Sequence, residues 1–202
     1  GYDLTHEIPV APAAHYSVGG VLSNSNGRTD VERLYVCGEV AATGIMGANR
    51  LASNSLIECL VFANRAVEDT VKVGAVKEFP AFEKQYSRDE NNAQLYAELK
   101  SQVAEIMNYH AGIIRSEESL TEGLQKIEQL RNVIKQKQDE RGGEENREYY
   151  LEASRRMLSV ARLIMSPALL RKESRGGHYR EDFPCADEAF ALHSVQRRGA
   201  QI

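Results

Sequence analysis

The stretch "GIMGANRLASNSLIECLVFANRA", residues 44–66, decides how the first part of the chain folds. A glycine-broken turn carries Arg50 and leads straight into a run that is apolar on nearly all sides. Ser55 stands three residues before Glu58, which is the spacing of a capping box, so we predict a helix that begins at Asn54 or Ser55. Because apolar residues surround this helix, we expect it to be buried all round.

The start of the predicted helix is a candidate site for an anion. A helix N-terminus offers free N–H groups and about half a positive charge. Arg50, one turn upstream, adds a planar fork of donors that suits a carboxylate. The residues leave a second interpretation open, in which Arg50 pairs with a local acid and the cap merely begins a core helix.

A second candidate follows a short apolar run. Residues 34–37 are apolar and end at Gly38, which predicts a buried strand. Glu39 would then lie at the carboxyl end of that strand, where a carboxylate can accept hydrogen bonds from sugar hydroxyls, as in dinucleotide folds. A strand followed by Gly-Glu is common, so a purely structural role stays open.

One of the histidines has surroundings that suit a ligand. His15 lies in "PAAHYSVGG", an irregular turn flanked by glycines, and is a candidate ligand, although surface histidines in loops are common. Three others lack such a context and are expected to be structural or solvated: His6, His110 and His193.

Composition narrows the class of protein. The chain has 202 residues, which suits one large domain or two small ones, and a net charge of -4, which gives no reason to expect a nucleic-acid partner. No run approaches the roughly 18 apolar residues of a membrane span, and the start lacks the features of a signal peptide. Because the chain opens without methionine, in what resembles the middle of a strand, we expect a piece of a larger protein.

The cysteines predict a reducing environment. Cys37, Cys59 and Cys185 are widely spaced and fit no metal-binding pattern. Cys37 and Cys59 lie in apolar runs, so we expect them to be small core residues of a cytoplasmic protein.

The chain changes character near Pro80. Before it, short apolar runs alternate with turn signals such as Asn26-Gly27. After it, apolar residues recur every three or four positions in three stretches, which predicts three amphipathic helices in an antiparallel bundle. The stretches are Leu95 to Ile114, Leu120 to Ile134, and residues 148–170.

The breaks between these helices are also predicted. Lys135 to Glu145 is charged and carries a glycine pair, so we expect it to connect the last two helices. Pro167 is expected to kink or restart the last helix, with Ser166 as a possible cap. The fold class is therefore an α+β fragment that is mainly α, with domains at 1–75, 76–175 and 176–202.

The segment "LLRKESRGGHYREDFP", residues 169–184, mixes basic and acidic side chains. A basic last turn followed by Gly176-Gly177 is an ordinary way to end a helix. The mixed signs favour an ion-paired clasp over a binding patch.

Four motifs, in order, resemble one family. They are "PAAHYSVGGV", "GRTDVERLYVCGEV", "TGIMGANRLASNSLIECLVF" and, beyond the helices, "ESRGGHYREDFP". The chain resembles the C-terminal part of the L-aspartate oxidases, a family of the succinate dehydrogenase and fumarate reductase flavoprotein group. The resemblance runs from the first residues to Pro184. It implies the end of a Rossmann-like FAD-binding domain, followed by a C-terminal three-helix bundle.

The resemblance assigns roles to the candidates. It implies that His15 and Arg50 hold the carboxylates of a four-carbon dicarboxylate. Glu39 would bind the sugar-like chain of FAD, and the helix start, at Asn54, Ser55 and Leu56, would meet the flavin ring. It implies no metal site, and it places the catalytic arginine before Gly1.

The implied activity is the FAD-dependent oxidation of L-aspartate to iminoaspartate, with dioxygen or fumarate as acceptor, in the cytoplasm. The product would feed quinolinate and NAD synthesis. The implied partners are L-aspartate or another C4 dicarboxylate, the missing N-terminal FAD and capping domains, and a second copy in a homo-oligomer. Without a G-x-G-x-x-G motif the chain alone is predicted to be inactive, and Met46 replaces a histidine usual in relatives.

Two alternatives remain open from the sequence. One is a soluble fumarate reductase or succinate dehydrogenase flavoprotein. The other is a non-catalytic helical module, in which residues 80–175 mediate assembly with a second copy or with the missing domain. Exposed apolar surface on residues 1–70 would support this module.

Overall fold

The computed structural model describes Thr5 and residues 13–74, 86–143 and 147–197. Within these ranges most of the regular structure is helical, which confirms a mainly α fold class. The helices are α1 (Asn54–Val73), α2 (Glu90–His110), α3 (Glu117–Glu140) and α4 (Tyr149–Leu170). The strands are β1 (Val21–Leu22), β2 (Ala41–Ala42), β3 (Ile114–Arg115) and β4 (Tyr179–Arg180). The chain divides into two compact units, Gly1–Glu78 and Phe79–Ile202.

The first unit places a pair of short strands and one long helix. β1 and β2 pair in parallel, with Val21 opposite Ala41. Gly20, at φ 149°, lies so close to the backbone of Val40 that a Cβ at position 20 would be 2.2 Å from the Val40 carbonyl oxygen. A larger residue at position 20 would therefore force these strands apart.

The helix α1 is buried on one face only. Its buried residues follow helical spacing: Glu58, Phe62, Ala66 and Asp69. On its other faces Leu56, Leu60 and Val71 are 68%, 66% and 78% exposed. The expectation of burial all round is wrong for this chain, because the described part of the first unit packs against one side of the helix.

The helix α1 begins at Asn54, as predicted, but without a capping box. Ser53 precedes the helix in the left-handed region, at φ 69°, and its side chain caps no N–H. Glu58 turns away from the helix start and accepts hydrogen bonds from Tyr16 and Thr43. The capping-box prediction is therefore wrong, because the hydroxyl groups of Tyr16 and Thr43 occupy the carboxylate that it requires.

The predicted strand at residues 34–37 is also wrong. Tyr35 makes an isolated antiparallel bridge with Arg28. Two backbone bonds form this bridge, from Thr29 N–H to Leu34 C=O and from Val36 N–H to Gly27 C=O. A turn bond from Leu34 N–H to Val31 C=O follows directly, so the pairing stays a single bridge.

The cysteine prediction is only partly correct. Cys37 is exposed, so its expected place in the core is wrong, and Cys59 is half-buried. Cys185 is exposed, and all three thiols are free.

In the second unit, α2, α3 and α4 each contact the other two around one apolar core. The largest fully buried members lie on α3 and α4: Leu120, Ile127, Ile134, Leu151, Leu158 and Met165. Gly123 permits the closest approach, since a Cβ there would lie 2.3 Å from Met165 Cε. The predicted apolar stripes therefore do form one core.

Two predicted helix ends differ from the structure, and the last helix does not restart at Pro167. α2 ends at His110, and Ile114 belongs to β3, which pairs in parallel with β4. α3 continues to Glu140, so the expected connector at Lys135 is helical in its first half. α4 passes through Pro167 to Leu170 as a single element. The loss of one N–H at Pro167 does not end the helix, because packing in the core holds the last turn.

The clasp predicted after α4 is ion-paired. Glu173 is fully buried and accepts hydrogen bonds from the guanidinium groups of Arg171 and Arg175. Arg180 is also fully buried and donates to both oxygens of Asp182 at 2.7 Å. These arginines lower the carboxylate pKa values of Glu173 and Asp182 to about 2. The interpretation of an internal clasp is confirmed for these pairs.

Candidate functional site

The segment around Tyr16 connects the predicted site residues of the first unit. The Tyr16 ring lies under Arg50, with 4.6 Å from the guanidinium carbon to the ring centroid. Ser17 N–H donates to Glu39 Oε1 at 2.8 Å. The exposed His15 is the residue before Tyr16. Arg50 and Glu39 thus each contact one of the two residues that directly follow His15.

Arg50 has no acidic partner in the described ranges. Its side chain is half-buried, and its Nε is buried without a hydrogen-bond partner among the described residues. The alternative that Arg50 pairs with a local acid is therefore not observed. The described residues leave the hydrogen-bonding capacity of this guanidinium unused, and a carboxylate is a partner that suits it.

Glu58 holds the ring on which Arg50 rests. Glu58 is 2% exposed, and its two oxygens accept from Tyr16 Oη, at 3.0 Å, and from Thr43 Oγ1. Burial, followed by the hydrogen bond to Glu58, raises the pKa of Tyr16, so its hydroxyl stays protonated and donates. We call Arg50, Tyr16, Glu58 and Thr43 the Arg50 cluster.

Sequence reasoning missed the roles of Tyr16, Thr43 and Glu58. One signal was present: Glu58 shares a helix face with Phe62, four residues on, and a glutamate on an apolar face needs polar partners. The partners are Thr43 and Tyr16, which lie 15 and 42 positions away in the sequence.

The start of α1 presents donors to its surroundings. Asn54 N–H donates to Leu51 C=O at 3.3 Å. The N–H groups of Ser55 and Leu56 make no hydrogen bond to the described residues that precede the helix, as is usual in a first turn. Asn54 also lines a groove of about 340 Å³ with Ile57 and Val61. This donor set and the helix dipole fit an electron-rich or anionic group.

Glu39 lies in a 3₁₀ turn, Gly38–Val40, and not at the end of a strand. Its side chain is exposed, and the bond from Ser17 N–H fixes one of its oxygens. A carboxylate has about four acceptor positions, so Glu39 keeps acceptors for hydroxyl groups of a ligand.

A second cluster of the same residue types lies toward the other end of α1. Arg28 pairs with Asp69, and Tyr35 Oη donates to Asp69 Oδ2 at 2.9 Å. The Arg28 guanidinium carbon lies 5.8 Å from the centroid of the Tyr35 ring. The hydrogen bond from Arg28 lowers the pKa of Asp69. We call Arg28, Tyr35 and Asp69 the Arg28 cluster, and its cation is neutralised within the chain.

Two kinds of site are not found in the described ranges. No group of three or more His, Cys, Asp or Glu side chains there is arranged to hold a metal ion. None of the described helices is long and apolar enough to cross a membrane.

The chain matches a known class of flavoprotein. The family described as "Fumarate reductase flavoprotein C-term" matches residues 100–201, and the "FAD binding domain" family matches residues 2–56. The chain therefore belongs to the fumarate reductase flavoprotein family. The match over residues 2–56 confirms FAD as the predicted cofactor, and it includes every predicted cofactor-binding residue.

Curated relatives narrow the resemblance to L-aspartate oxidases. The chloroplastic L-aspartate oxidase of Oryza sativa subsp. japonica is 40% identical over 94% of this chain and 32% of its own length. The L-aspartate oxidases of Streptomyces coelicolor and Pyrococcus furiosus are 37% and 39% identical, over 96% and 94% of this chain and 35% of each relative. These relatives confirm the predicted resemblance. The chain spans about a third of their length.

Solved structures show the same fold. A quinol–fumarate reductase with menaquinol molecules superimposes with a TM-score of 0.71, at 25% identity over 92% of this chain and 35% of that chain. An Escherichia coli quinol fumarate reductase variant gives a TM-score of 0.68, at 25% identity over 93% of this chain and 35% of that chain.

Proposed function

We propose that this chain is the C-terminal part of an FAD-dependent L-aspartate oxidase, which oxidises L-aspartate to iminoaspartate. One observation carries the proposal beyond the resemblance to relatives. Arg50 rests on the Tyr16 ring without an acidic partner in the described ranges, next to the start of α1. A half-buried guanidinium without a counter-ion is suited to bind a carboxylate of a substrate.

The proposed roles follow from the chemistry of each group. Arg50 and His15 bind the two carboxylates of the dicarboxylate and fix its orientation. Glu39 accepts hydrogen bonds from hydroxyl groups of FAD. The first turn of α1, at residues 54–56, offers N–H groups and a positive dipole end to the flavin ring, which favours negative charge there. When bound, FAD supplies the acceptor for the hydride that leaves the substrate.

The proposed organisation assigns one task to each part of the chain. Residues 1–75 complete a Rossmann-like FAD-binding domain, residues 76–175 form a three-helix bundle domain, and residues 176–202 form the clasp and tail. The pairwise contacts of α2, α3 and α4 around one core support the bundle. The exposed apolar face of α1 favours a covering partner, which the proposal supplies as the rest of the flavoprotein.

The proposal extends to the cellular role. The protein would be cytoplasmic, would use dioxygen or fumarate as acceptor, and would supply iminoaspartate for quinolinate and NAD synthesis. The chain alone is proposed to be inactive, since no catalytic residue of the reaction is assigned to it.

A fumarate reductase or succinate dehydrogenase flavoprotein is the second candidate. The superposition on quinol–fumarate reductase, with a TM-score of 0.71, favours it. Both candidates use Arg50 to bind a carboxylate, so the amino group of the substrate separates them.

The experiment uses the full-length protein that contains this chain. Its visible absorbance spectrum reports bound flavin, and hydrogen peroxide is followed after L-aspartate, succinate or fumarate is added. We expect a yellow protein that forms peroxide with L-aspartate only. A colourless protein would overturn the flavoprotein proposal. Oxidation of succinate but not of L-aspartate would replace the oxidase by the second candidate.

A further inference from the structure

The orientation of Arg50 depends on the ring beneath it. A cation over the face of an aromatic ring is attracted to the ring, and its planar edge keeps its N–H donors for other partners. Arg50 lies 4.6 Å from the Tyr16 centroid, and its buried Nε finds no acceptor in the described ranges. The ring therefore orients the guanidinium and leaves its hydrogen-bonding capacity unused.

Tyr16 is itself held in place by a buried carboxylate. Its hydroxyl donates to Glu58 at 3.0 Å, and Thr43 donates to the other oxygen of Glu58. Glu58 is 2% exposed, so solvent competes little for these bonds. The carboxylate thereby ties the Tyr16 segment and the turn at Thr43 to the second turn of α1.

The Arg28 cluster shows what the same residue types do when the acid faces the cation. There Asp69 accepts from both Arg28 and Tyr35, so the charge of the arginine is neutralised inside the chain. In the Arg50 cluster the acid accepts from two hydroxyl groups. The ring then separates Glu58 from Arg50, and the positive charge stays available.

We propose that Tyr16, anchored through Glu58, is a positioning residue that holds the Arg50 guanidinium ready for a carboxylate of the substrate. Tyr16 acts through Arg50 and not on the reacting atoms. This inference rests on the proposed function for the identity of the ligand, a dicarboxylate, and adds the means by which the chain prepares the arginine for it.

The test measures the affinity of the FAD-loaded, full-length protein for malonate, an unreactive dicarboxylate, by titration calorimetry. Tyr16→Leu removes both the ring and the anchor, and we expect its Kd for malonate to rise about tenfold or more. Tyr16→Phe keeps the ring and loses only the anchor, so a smaller rise is expected. Tyr35→Phe removes the equivalent hydroxyl from the Arg28 cluster and should leave the Kd unchanged.

A double-mutant cycle separates positioning from general loss of structure. In the background of Arg50→Ala, Tyr16→Leu should have little further effect on the Kd, because the group that it positions is already gone. The same fold-increase in both backgrounds would overturn the inference. If Tyr16→Leu does not fold, as judged by flavin content and thermal unfolding, the cycle is run with Tyr16→Phe.

Failure of the inference and failure of the proposed function give different results. Oxidation of L-aspartate together with additive effects of Tyr16 and Arg50 would overturn the inference alone. Coupled malonate binding in a protein that does not oxidise L-aspartate would overturn the oxidase proposal and support the inference. A wild-type protein that neither binds malonate nor oxidises L-aspartate would overturn both, and one that oxidises L-aspartate without binding malonate would overturn the inference alone.

Discussion

The Arg28 cluster and the Arg50 cluster contain the same kinds of side chain and use them in opposite ways. In the Arg28 cluster the carboxylate of Asp69 lies against the arginine, so cation and anion stabilise the fold together. In the Arg50 cluster the carboxylate of Glu58 binds hydroxyl groups, and the arginine is left with an aromatic ring. A structural arginine therefore differs from a binding one in the partner of the nearby acid, and not in the presence of an arginine and a tyrosine.

We expect the largest difference between Arg50 and Arg28 in enzyme activity. Arg50→Ala in the full-length protein should lower kcat/KM for L-aspartate by about a thousandfold, because a carboxylate loses its charged partner. Arg28→Ala should keep kcat/KM close to wild type and lower the thermal midpoint instead. Steady-state kinetics and flavin content of both variants check this. Equal losses of activity in the two variants would remove the functional distinction between the clusters.

The next effect concerns the acid of the Arg50 cluster. Glu58→Leu leaves the hydroxyl groups of Tyr16 and Thr43 without their acceptor, and we expect a loss of about 2 to 4 kcal/mol in unfolding free energy. Glu68→Leu on the same helix is the control, since Glu68 is exposed, and it should change stability by less than about 0.5 kcal/mol. Urea denaturation followed by circular dichroism provides the values. Similar losses for the two variants would mean that Glu58 anchors nothing.

The acid of the Arg28 cluster should make stability depend on pH. The pKa of Asp69 is lowered from 3.8 by its hydrogen bond to Arg28, so its stabilisation is complete above pH 3.8 and is lost as the pH falls through the folded value. The difference in thermal midpoint between wild type and Asp69→Asn should therefore be largest near neutral pH. It should shrink as the pH falls below 3.8 and through the pKa of Asp69 in the folded protein. Thermal unfolding at several pH values measures it. A difference that stays constant down to strong acid would show that the Arg28 pair does not stabilise the fold.

The smallest effect is expected at the start of α1. The N-cap residue of α1 is Ser53 and Ser55 lies inside the first turn, so Ser55→Ala should change unfolding free energy by less than about 0.5 kcal/mol. Ser116 caps α3 by accepting from Ser119 N–H at 3.2 Å, and Ser116→Ala should cost about 1 kcal/mol. The same denaturation experiment compares them. A larger cost for Ser55→Ala would restore the capping box at this helix.

The second unit was largely predictable from the sequence, since its three helices carry apolar stripes at regular spacing. The apolar pattern did not define how far α3 and α4 continue. α3 continues over a charged stretch to Glu140, and α4 continues past Pro167, where Met165 and Ala168 are buried in the core. The ion pairs of Glu173 and Arg180 followed from mixed charges close together in sequence.

The first unit was less predictable, for two physical reasons. The apolar character of α1 predicts burial, but the described part of this unit covers one face only, and a single sequence does not state which surface another part of a protein covers. Glu58 and Tyr16 are 42 residues apart, so no local pattern pairs them. The candidate residues His15, Glu39 and Arg50 came from local context and from family resemblance. Only the three-dimensional structure shows that these residues lie at the same short segment of chain.

The most direct test of the contrast between the clusters is a crystal structure of the full-length protein with FAD and malonate. We predict a malonate carboxylate within hydrogen-bond distance of Arg50, with Arg50 still over the Tyr16 ring and Arg28 still paired with Asp69. Malonate bound away from Arg50, or Arg50 paired with a protein carboxylate, would contradict this account.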